Sequence, residues 1–176
     1  MSVGSPETSI WLLPDERHEP ALMETIARLS ILLGGASFSP HVTIQGDIAV
    51  AREKLAHAVA RLAARTPVQR WQVDRVECSP HFFRCLYLRF TVQAEFFDLR
   101  RAAQALTHTT LGLSPFPHLS LAYGDAHPDN AKLCDLLAGE FSAQEIVFDR
   151  LAIYRSSSHV PISAWECLAQ YPLRQD

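Results

Sequence analysis

The chain has 176 residues, of which 48% are hydrophobic and 20% are charged, a balance typical of a globular protein. Its 16 basic and 19 acidic residues give a net charge of -3. That charge argues against binding to long nucleic acid, because such binding depends on basic side chains that neutralise phosphates. No stretch approaches the roughly 20 apolar residues of a membrane span, and the N-terminus lacks the pattern of a secretory signal. We therefore expect a cytoplasmic monomer that does not bind membranes.

Hydrophobic periodicity predicts a mixture of strands and helices along the whole chain. The strands are predicted at 9–15, 41–45, 68–78, 82–92, 118–123, 143–157 and 162–173, and the helices at 19–35, 50–66, 95–112 and 128–140. This order lacks the regular alternation of a long parallel sheet, and no Gly-rich phosphate loop follows the first strand. The predicted fold class is therefore α+β.

Two short segments of the chain are nearly the same. "SPHVTIQGD" begins at Ser39 and "FPHLSLAYGD" begins at Phe116, and each has a Pro-His pair, a hydroxyl residue two positions later and then Gly-Asp. They occupy similar places in two loosely similar halves, each after a helix and on a short strand. The repeat predicts a duplication with a pseudo-two-fold axis within one bilobal domain, residues 1–176.

Each repeated segment places one imidazole and one hydroxyl on the same side of a strand, since residues i and i+2 project from one face. His41 therefore shares a face with Thr43, and His118 shares one with Ser120. Two histidines can serve as general base and general acid on a phosphodiester, while hydroxyls stabilise the charge that builds on its oxygens. We expect both hydroxyls to face solvent, and the pH–rate profile to be bell-shaped near the usual histidine range.

The motifs "HVTI" and "HLSL", with "SIWLLPDE", "FSPHVTIQGDI" and "PFPHLSLAYGD", resemble the 2H phosphoesterase superfamily over essentially the whole chain. They are most similar to its cyclic phosphodiesterase-like branch of plants and yeast. The resemblance implies a bilobal fold with two antiparallel sheets facing a central groove and helices outside. It also implies metal-independent hydrolysis of ADP-ribose 1″,2″-cyclic phosphate or nucleoside 2′,3′-cyclic phosphates, leaving a 2′-phosphate from the nucleotides.

The same resemblance implies roles for seven residues. The four catalytic residues that it implies are His41, Thr43, His118 and Ser120, with His118 as base and His41 as acid. The three aromatic residues that it implies for substrate binding are Trp11, Tyr123 and Phe83. Strand alternation by itself puts Tyr123 on the face opposite His118, so it reaches the groove only if the strand ends or bulges there. Trp11 lies in an apolar run and fits a core position equally well, and Phe83 is matched by its place in a predicted hairpin.

No cofactor and no metal are expected. Cys78, His81 and Cys85 have a spacing that loosely resembles a zinc half-site, but a hairpin with two buried thiols explains it better, since no fourth ligand is evident. Arg84 and Arg89 are predicted on a central strand and are candidates for contacts to a diphosphate.

Two other functions remain open from the sequence. One is an enzyme that acts on RNA ends, similar to 2′-5′ RNA ligases, which would need a basic track along the groove. The other is a non-catalytic module that binds cyclic phosphates, which is disfavoured because both histidines and both hydroxyls are present.

Overall fold

The structure is a computed structural model that describes residues 7–91 and 93–175, so Val92 of the predicted fourth strand lies outside the described residues. Within them, strands and helices follow each other in the order predicted from the sequence. The strands are β1 (Thr8–Pro14), β2 (Val42–Ile48), β3 (Gln69–Cys78), β4 (Leu86–Phe90), β5 (His118–Ala122), β6 (Glu145–Arg155) and β7 (Glu166–Pro172). The helices are α1 (Glu19–Leu33), α2 (Arg52–Arg65), α3 (Ala94–Thr107) and α4 (Asn130–Phe141).

The first helix shows how local sequence sets the boundaries of the elements. Pro20 lies in the first turn of α1, where its missing N–H removes no helical hydrogen bond. Leu22, Ile26 and Leu29 form its buried face at the predicted spacing. The helix ends at Gly34, whose φ of 68° is the left-handed conformation that glycine adopts without strain.

All strand pairs are antiparallel, and the order β2-β1-β6-β3-β4-β5 places β2 and β5 at its two ends, with β7 paired to β6. The strand β3 is shared, because its first residues, Gln69 to Gln72, pair with β6, and those from Val73 onward pair with β4. The two expected antiparallel sheets are therefore joined through β3 into one seven-stranded arrangement, and the predicted α+β class is confirmed.

The strand order has an internal symmetry. If β1 is exchanged with β4, β2 with β5 and β3 with β6, the result is the same order read from its other end. The helices follow the same exchange, since α1 packs on β5 while α3 packs on β2, and α2 packs on β6 while α4 packs on β3. Each half thus covers the histidine strand of the other half. This reciprocal packing agrees with the pseudo-two-fold duplication inferred from the repeated segments, and it brings the terminal strands β2 and β5 into contact.

Aromatic side chains fill the junction between the two halves. Trp71 of β3 and Phe148 of β6 lie 5.1 Å apart between ring centroids, and Phe90 and Phe96 pack edge-on against Trp71. All four side chains are almost fully buried. Such large apolar residues stabilise the junction by roughly 2–3 kcal/mol each, so the two histidine strands are held by a well-packed centre.

The predicted hairpin differs from the observed one in its second arm. Phe82–Arg84 forms a short 3-10 helix, and β4 begins only at Leu86. The hydroxyl of Ser79 donates to the Arg84 carbonyl at 2.6 Å, and the Arg84 N–H donates to the His81 carbonyl. These bonds satisfy the backbone inside a turn, so Arg84 lies in the connection before β4 rather than on a strand.

Candidate active site

A cavity of about 430 Å³ lies between β2 and β5, and we refer to it as the groove. All seven residues predicted for the site are among its lining: Trp11, His41, Thr43, Phe83, His118, Ser120 and Tyr123. The two halves of the fold thus contribute to one site, as the repeated segments predicted. The volume falls in the range of small-molecule sites.

Both histidines are held in the same way. The Nδ1 atom of His41 lies 2.7 Å from the Ser39 carbonyl, and the Nδ1 atom of His118 lies 2.9 Å from the Phe116 carbonyl. A proline follows the carbonyl residue in each case and keeps that residue extended. Because a carbonyl only accepts, each Nδ1 carries the proton when the ring is neutral, and each Nε2 is left as the atom that can accept one.

Aromatic rings surround His41. Its ring stacks on Trp11 with centroids 3.5 Å apart and planes 3° apart, and Tyr154 also stacks on Trp11. Burial lowers the pKa of His41 to about 3, with a smaller contribution from His118. The neutral ring of His41 therefore predominates near pH 7. Trp11 is only 2% exposed, yet its face contacts a catalytic candidate, so it belongs both to the core and to the site.

His118 has a more charged environment. Its ring is 5.1 Å from that of Phe116 and 5.6 Å from that of Tyr87. Burial lowers the pKa of His118 to about 4, and the guanidinium groups of Arg84 and Arg89 contribute to that lowering. Both histidines are thus neutral near pH 7 in the free protein, and an anionic phosphate between them would raise both pKa values.

The two hydroxyls differ in their surroundings. Thr43 is half-buried, whereas Ser120 is 6% exposed and donates to the Phe83 carbonyl at 2.9 Å. The expectation that both face solvent is therefore wrong for Ser120. Its neighbour β4 and the turn that contains Phe83 cover it, because the pairing of β5 with β4 brings that turn across the strand.

Tyr123 reaches the groove because its strand ends just before it, which is one of the two conditions stated from the sequence. The strand β5 ends at Ala122, and its register with β4 shifts between Leu86 and Tyr87, so simple alternation no longer applies. The Tyr123 ring stacks on Phe38 with centroids 3.7 Å apart. Burial raises the pKa of Tyr123 far above the usual range, so its hydroxyl stays protonated, next to Ser120.

An aromatic wall lines one side of the groove, and sequence reasoning missed one of its members. Phe83 is 40% exposed, and its ring is 5.3 Å from Tyr123 and 6.1 Å from Trp165. Trp165 also contacts Trp11 at 5.7 Å. It precedes β7, far from either motif along the chain, and only the packing of β7 against β6 brings it to the site.

Tyr87 is a second residue that the sequence did not single out. Strand pairing places Tyr87 of β4 opposite Ser120, just as Trp11 of β1 lies opposite Thr43. Tyr87 is therefore the pseudo-symmetric counterpart of Trp11, although it meets its histidine edge-on instead of stacking on it. Its hydroxyl donates to Glu77 at 2.7 Å, which fixes the ring. An alignment of the two halves outward from the motifs would have found it.

Of the two arginines considered for a diphosphate, one lines the groove. Arg84 and the neighbouring His81 are among the lining residues. Arg89 is on β4, opposite His118 in the pairing, and donates to Glu77 at 3.3 Å. It is absent from the lining among the described residues, so only Arg84 is positioned for a ligand.

The cysteine and histidine cluster considered as a weak zinc candidate does not come together. Cys85 is buried and its thiol donates to the Ala122 carbonyl, whereas Cys78 is exposed. Over residues 7–91 and 93–175, no three His, Cys, Asp or Glu side chains are grouped as metal ligands. Within the same residues, no helix is both long and apolar enough to cross a lipid bilayer. The independence from metal remains a prediction.

A family model described as the 2'-5' RNA ligase superfamily matches residues 15–159, which include both histidine motifs. The chain belongs to this superfamily. The match confirms the resemblance to the 2H phosphoesterases, and the protein is an enzyme of that kind.

Individual members of the superfamily and its fold are also similar to this chain. A cyclic phosphodiesterase of Arabidopsis thaliana is 25% identical over 170 residues, which cover 92% of each protein. E. coli LigT, solved in complex with 3'-AMP, superposes with a TM-score of 0.60 at 16% identity, covering 97% of this chain and 99% of that one. A Thermus thermophilus protein superposes with a TM-score of 0.60 at 16% identity, covering 96% and 98%. These two structures share its fold.

Proposed function

We propose that this enzyme hydrolyses a ribose cyclic phosphate of a small nucleotide, either ADP-ribose 1″,2″-cyclic phosphate or a nucleoside 2′,3′-cyclic phosphate. The observation that carries the proposal is that His41 and His118 line one groove, each with Nδ1 held by a carbonyl. Two Nε2 atoms are thereby available for the reacting group. The Arabidopsis relative, a cyclic phosphodiesterase that matches along nearly its full length, supports the same reaction.

The proposed step is an in-line attack by water on phosphorus. His118 Nε2 accepts a proton from the water as the new P–O bond forms. The bond from phosphorus to the ribose 3′ oxygen breaks, and His41 donates a proton to that oxygen, leaving a 2′-phosphate. The Thr43 hydroxyl donates to a non-bridging oxygen, where charge builds in the transition state. The Ser120 hydroxyl does the same after it turns from the Phe83 carbonyl toward the phosphate, because it has one proton to donate.

The surroundings of the histidines support this division of roles. Two guanidinium groups oppose a positive charge on His118, which suits a base that begins neutral. His41 stacks on the face of Trp11, and an indole face attracts a cation, which suits the histidine that begins charged. Burial acts in the opposite sense, because it lowers the pKa of His41 to about 3 and that of His118 only to about 4. The local contacts decide the assignment, since an anionic phosphate between the rings replaces the solvation that burial removes from whichever ring is protonated.

The alternative, an enzyme that acts on the ends of RNA, has less support from the groove. Among the described lining residues Arg84 is the single Arg or Lys, and Asp47 contributes a carboxylate. A track for a nucleic-acid backbone uses several basic side chains. The groove suits a compact nucleotide better.

The test offers the purified enzyme ADP-ribose 1″,2″-cyclic phosphate, four 2′,3′-cyclic nucleotides and an oligonucleotide that ends in a cyclic phosphate, with and without EDTA. We expect the highest kcat/KM for a small substrate, no loss with EDTA, and a 2′-phosphate by phosphorus NMR. His41→Ala and His118→Ala should each remove nearly all turnover. Preference for the oligonucleotide would favour the RNA-end function, and binding without turnover would favour a sensor.

A further inference from the structure

Arg84 is the single Arg or Lys of the described groove lining, and its guanidinium has no acidic partner in the described chain. Its central carbon lies 5.0 Å from the centre of the Phe116 ring, and its side chain is half-buried. Neither an ion pair nor a hydrogen bond within residues 7–91 and 93–175 involves this guanidinium. A half-buried cation that faces a cavity without a counter-ion is ready to bind an anion.

Arg89 provides the contrast within the same cluster. Its central carbon lies 4.3 Å from the centre of the Phe116 ring, which it shares with Arg84. Its charge is neutralised by Glu77, which also binds Arg75 and the Tyr87 hydroxyl. The two arginines thus stack on one ring, but only Arg84 both lines the groove and lacks a carboxylate.

We propose that Arg84 is a specificity-determining residue that binds a second phosphate group of the substrate, apart from the cyclic phosphate that reacts. Such a group is the diphosphate of an ADP-ribose derivative or the 5′-phosphate of a nucleoside 2′,3′-cyclic phosphate. The inference rests on the proposed function. It predicts that substrates with a second phosphate are preferred to bare nucleoside cyclic phosphates.

The charge of the reacting group supports a second phosphate as the ligand of Arg84. The reacting cyclic phosphate carries a single negative charge, which the two histidines and two hydroxyls already address. Arg84 instead follows Phe83, which is 40% exposed at the open side of the groove, and the Ser79 hydroxyl fixes the Arg84 carbonyl.

The experiment measures kcat/KM for adenosine 2′,3′-cyclic phosphate and for the same compound with a 5′-phosphate. The two share the leaving group, so the ratio isolates the second phosphate. We expect the wild type to prefer the 5′-phosphorylated substrate by about 10- to 100-fold, the range of one charge-assisted hydrogen-bonded contact. In Arg84→Gln the ratio should fall close to one, and Arg84→Lys should keep part of it, because lysine retains charge without the planar fork.

Arg89→Gln is the matched control, since it removes a guanidinium from the same ring without removing a groove contact. Any effect of this change on His118 alters kcat/KM equally for the two substrates, so it cancels in the ratio of the two kcat/KM values. That ratio should therefore be the same in Arg89→Gln as in the wild type. The inference is overturned if the wild type shows no preference, if Arg84→Gln keeps the full ratio, or if it slows both substrates alike. If the wild type hydrolyses no cyclic phosphate at all, the proposed function itself fails.

Discussion

At the scale of single residues, the two histidines of the groove are held alike but surrounded differently. Each donates its Nδ1 proton to the carbonyl two positions earlier, so the motif itself sets the tautomer. Beyond that bond the surroundings differ, because Trp11 stacks on His41 while Arg84 and Arg89 act on His118. Two copies of one motif can therefore take opposite roles through their neighbours.

The pH dependence of catalysis should reflect the buried state of both rings. The proposed mechanism needs one charged and one neutral histidine, whereas the pKa values of about 3 and about 4 leave both neutral near pH 7. The value of kcat/KM should therefore rise as the pH falls from about 8 toward about 5. A bound phosphate raises both pKa values, so the optimum of kcat should lie at higher pH than that of kcat/KM. Initial rates across this range test it, and a flat kcat/KM would contradict it.

The sequence predicts a pH–rate profile whose two limbs lie near the usual histidine range. Burial moves both limbs of the kcat/KM profile to lower pH. The bell shape stays a prediction, since it follows from the need for one acid and one base.

Replacing the hydroxyls should separate catalysis from packing. Thr43→Ala should lower kcat by about 10²–10³, the cost of one lost donor to a developing charge, with little change in melting temperature. Ser120→Ala should also lower kcat, and in addition it should cost roughly 1 kcal/mol of stability, because the bond to the Phe83 carbonyl is lost. Steady-state kinetics and thermal melts measure both effects. Equal loss of stability in the two variants would show that the difference in their burial has no consequence.

At the scale of elements, a close backbone contact fixes the far end of the groove. The Gly46 N–H of β2 donates to the Gly112 carbonyl at 2.8 Å, and Gln45 donates to the carbonyls of Thr109 and Leu111. Gly112 has a φ of 66°, and a Cβ there would lie 2.1 Å from the Gly46 carbonyl oxygen. The loop before β5 is therefore bound to β2 through a position that admits only glycine.

Gly112→Ala should destabilise the fold by about 2 kcal/mol or more, because it combines a left-handed φ with a steric overlap. Turnover should fall as well, since β2 and the loop both border the groove. Gly139→Ala in α4 is the matched control, because its Cβ meets nothing within 4 Å and alanine favours a helix by up to about 1 kcal/mol. Denaturant unfolding compares the two, and equal stability would show that the contact can relax.

At the scale of the whole molecule, the duplicated fold buries two ionisable rings between its halves. The unfolded chain binds protons on these histidines below the ordinary histidine value of 6.5, whereas burial depresses the pKa of both rings in the folded chain. Their contribution to stability is therefore complete above that pH and is lost as the pH falls through the region between the unfolded and folded pKa values. The slope approaches roughly 1.4 kcal/mol per pH unit for each ring.

His41→Asn should make the protein less sensitive to acid. The wild type should lose free energy of unfolding between about pH 7.5 and about pH 5, and the variant should lose about 2 kcal/mol less. The reason is that asparagine binds no proton in the unfolded chain, whereas His41 does. Urea denaturation at the two pH values measures this difference. His57→Asn, at an exposed position of α2, is the matched control for the change from histidine to asparagine. An identical pH dependence in wild type and His41→Asn would show that His41 is solvated in the folded state.

The sequence by itself determined the α+β class, the order of strands and helices, and the two histidine motifs. These features are local: apolar spacing specifies each helix face, and a five-residue pattern specifies each motif. The repetition of the motif also predicted one long-range feature, namely that both halves contribute to one site. The roles of the four motif residues stay predictions that the geometry supports.

The tertiary structure decided what no local pattern encodes. It brought Trp165 into the groove lining and Tyr87 against His118, and it covered Ser120. It also ended β5 at Ala122, so that Tyr123 faces the groove. Among the described residues it left Arg84 without a counter-ion, while Glu77 neutralised Arg89. Burial then lowered the pKa of both histidines. Burial and charge pairing are sums over neighbours that are remote in the chain, so they are set only when the strands have paired and the two halves have packed.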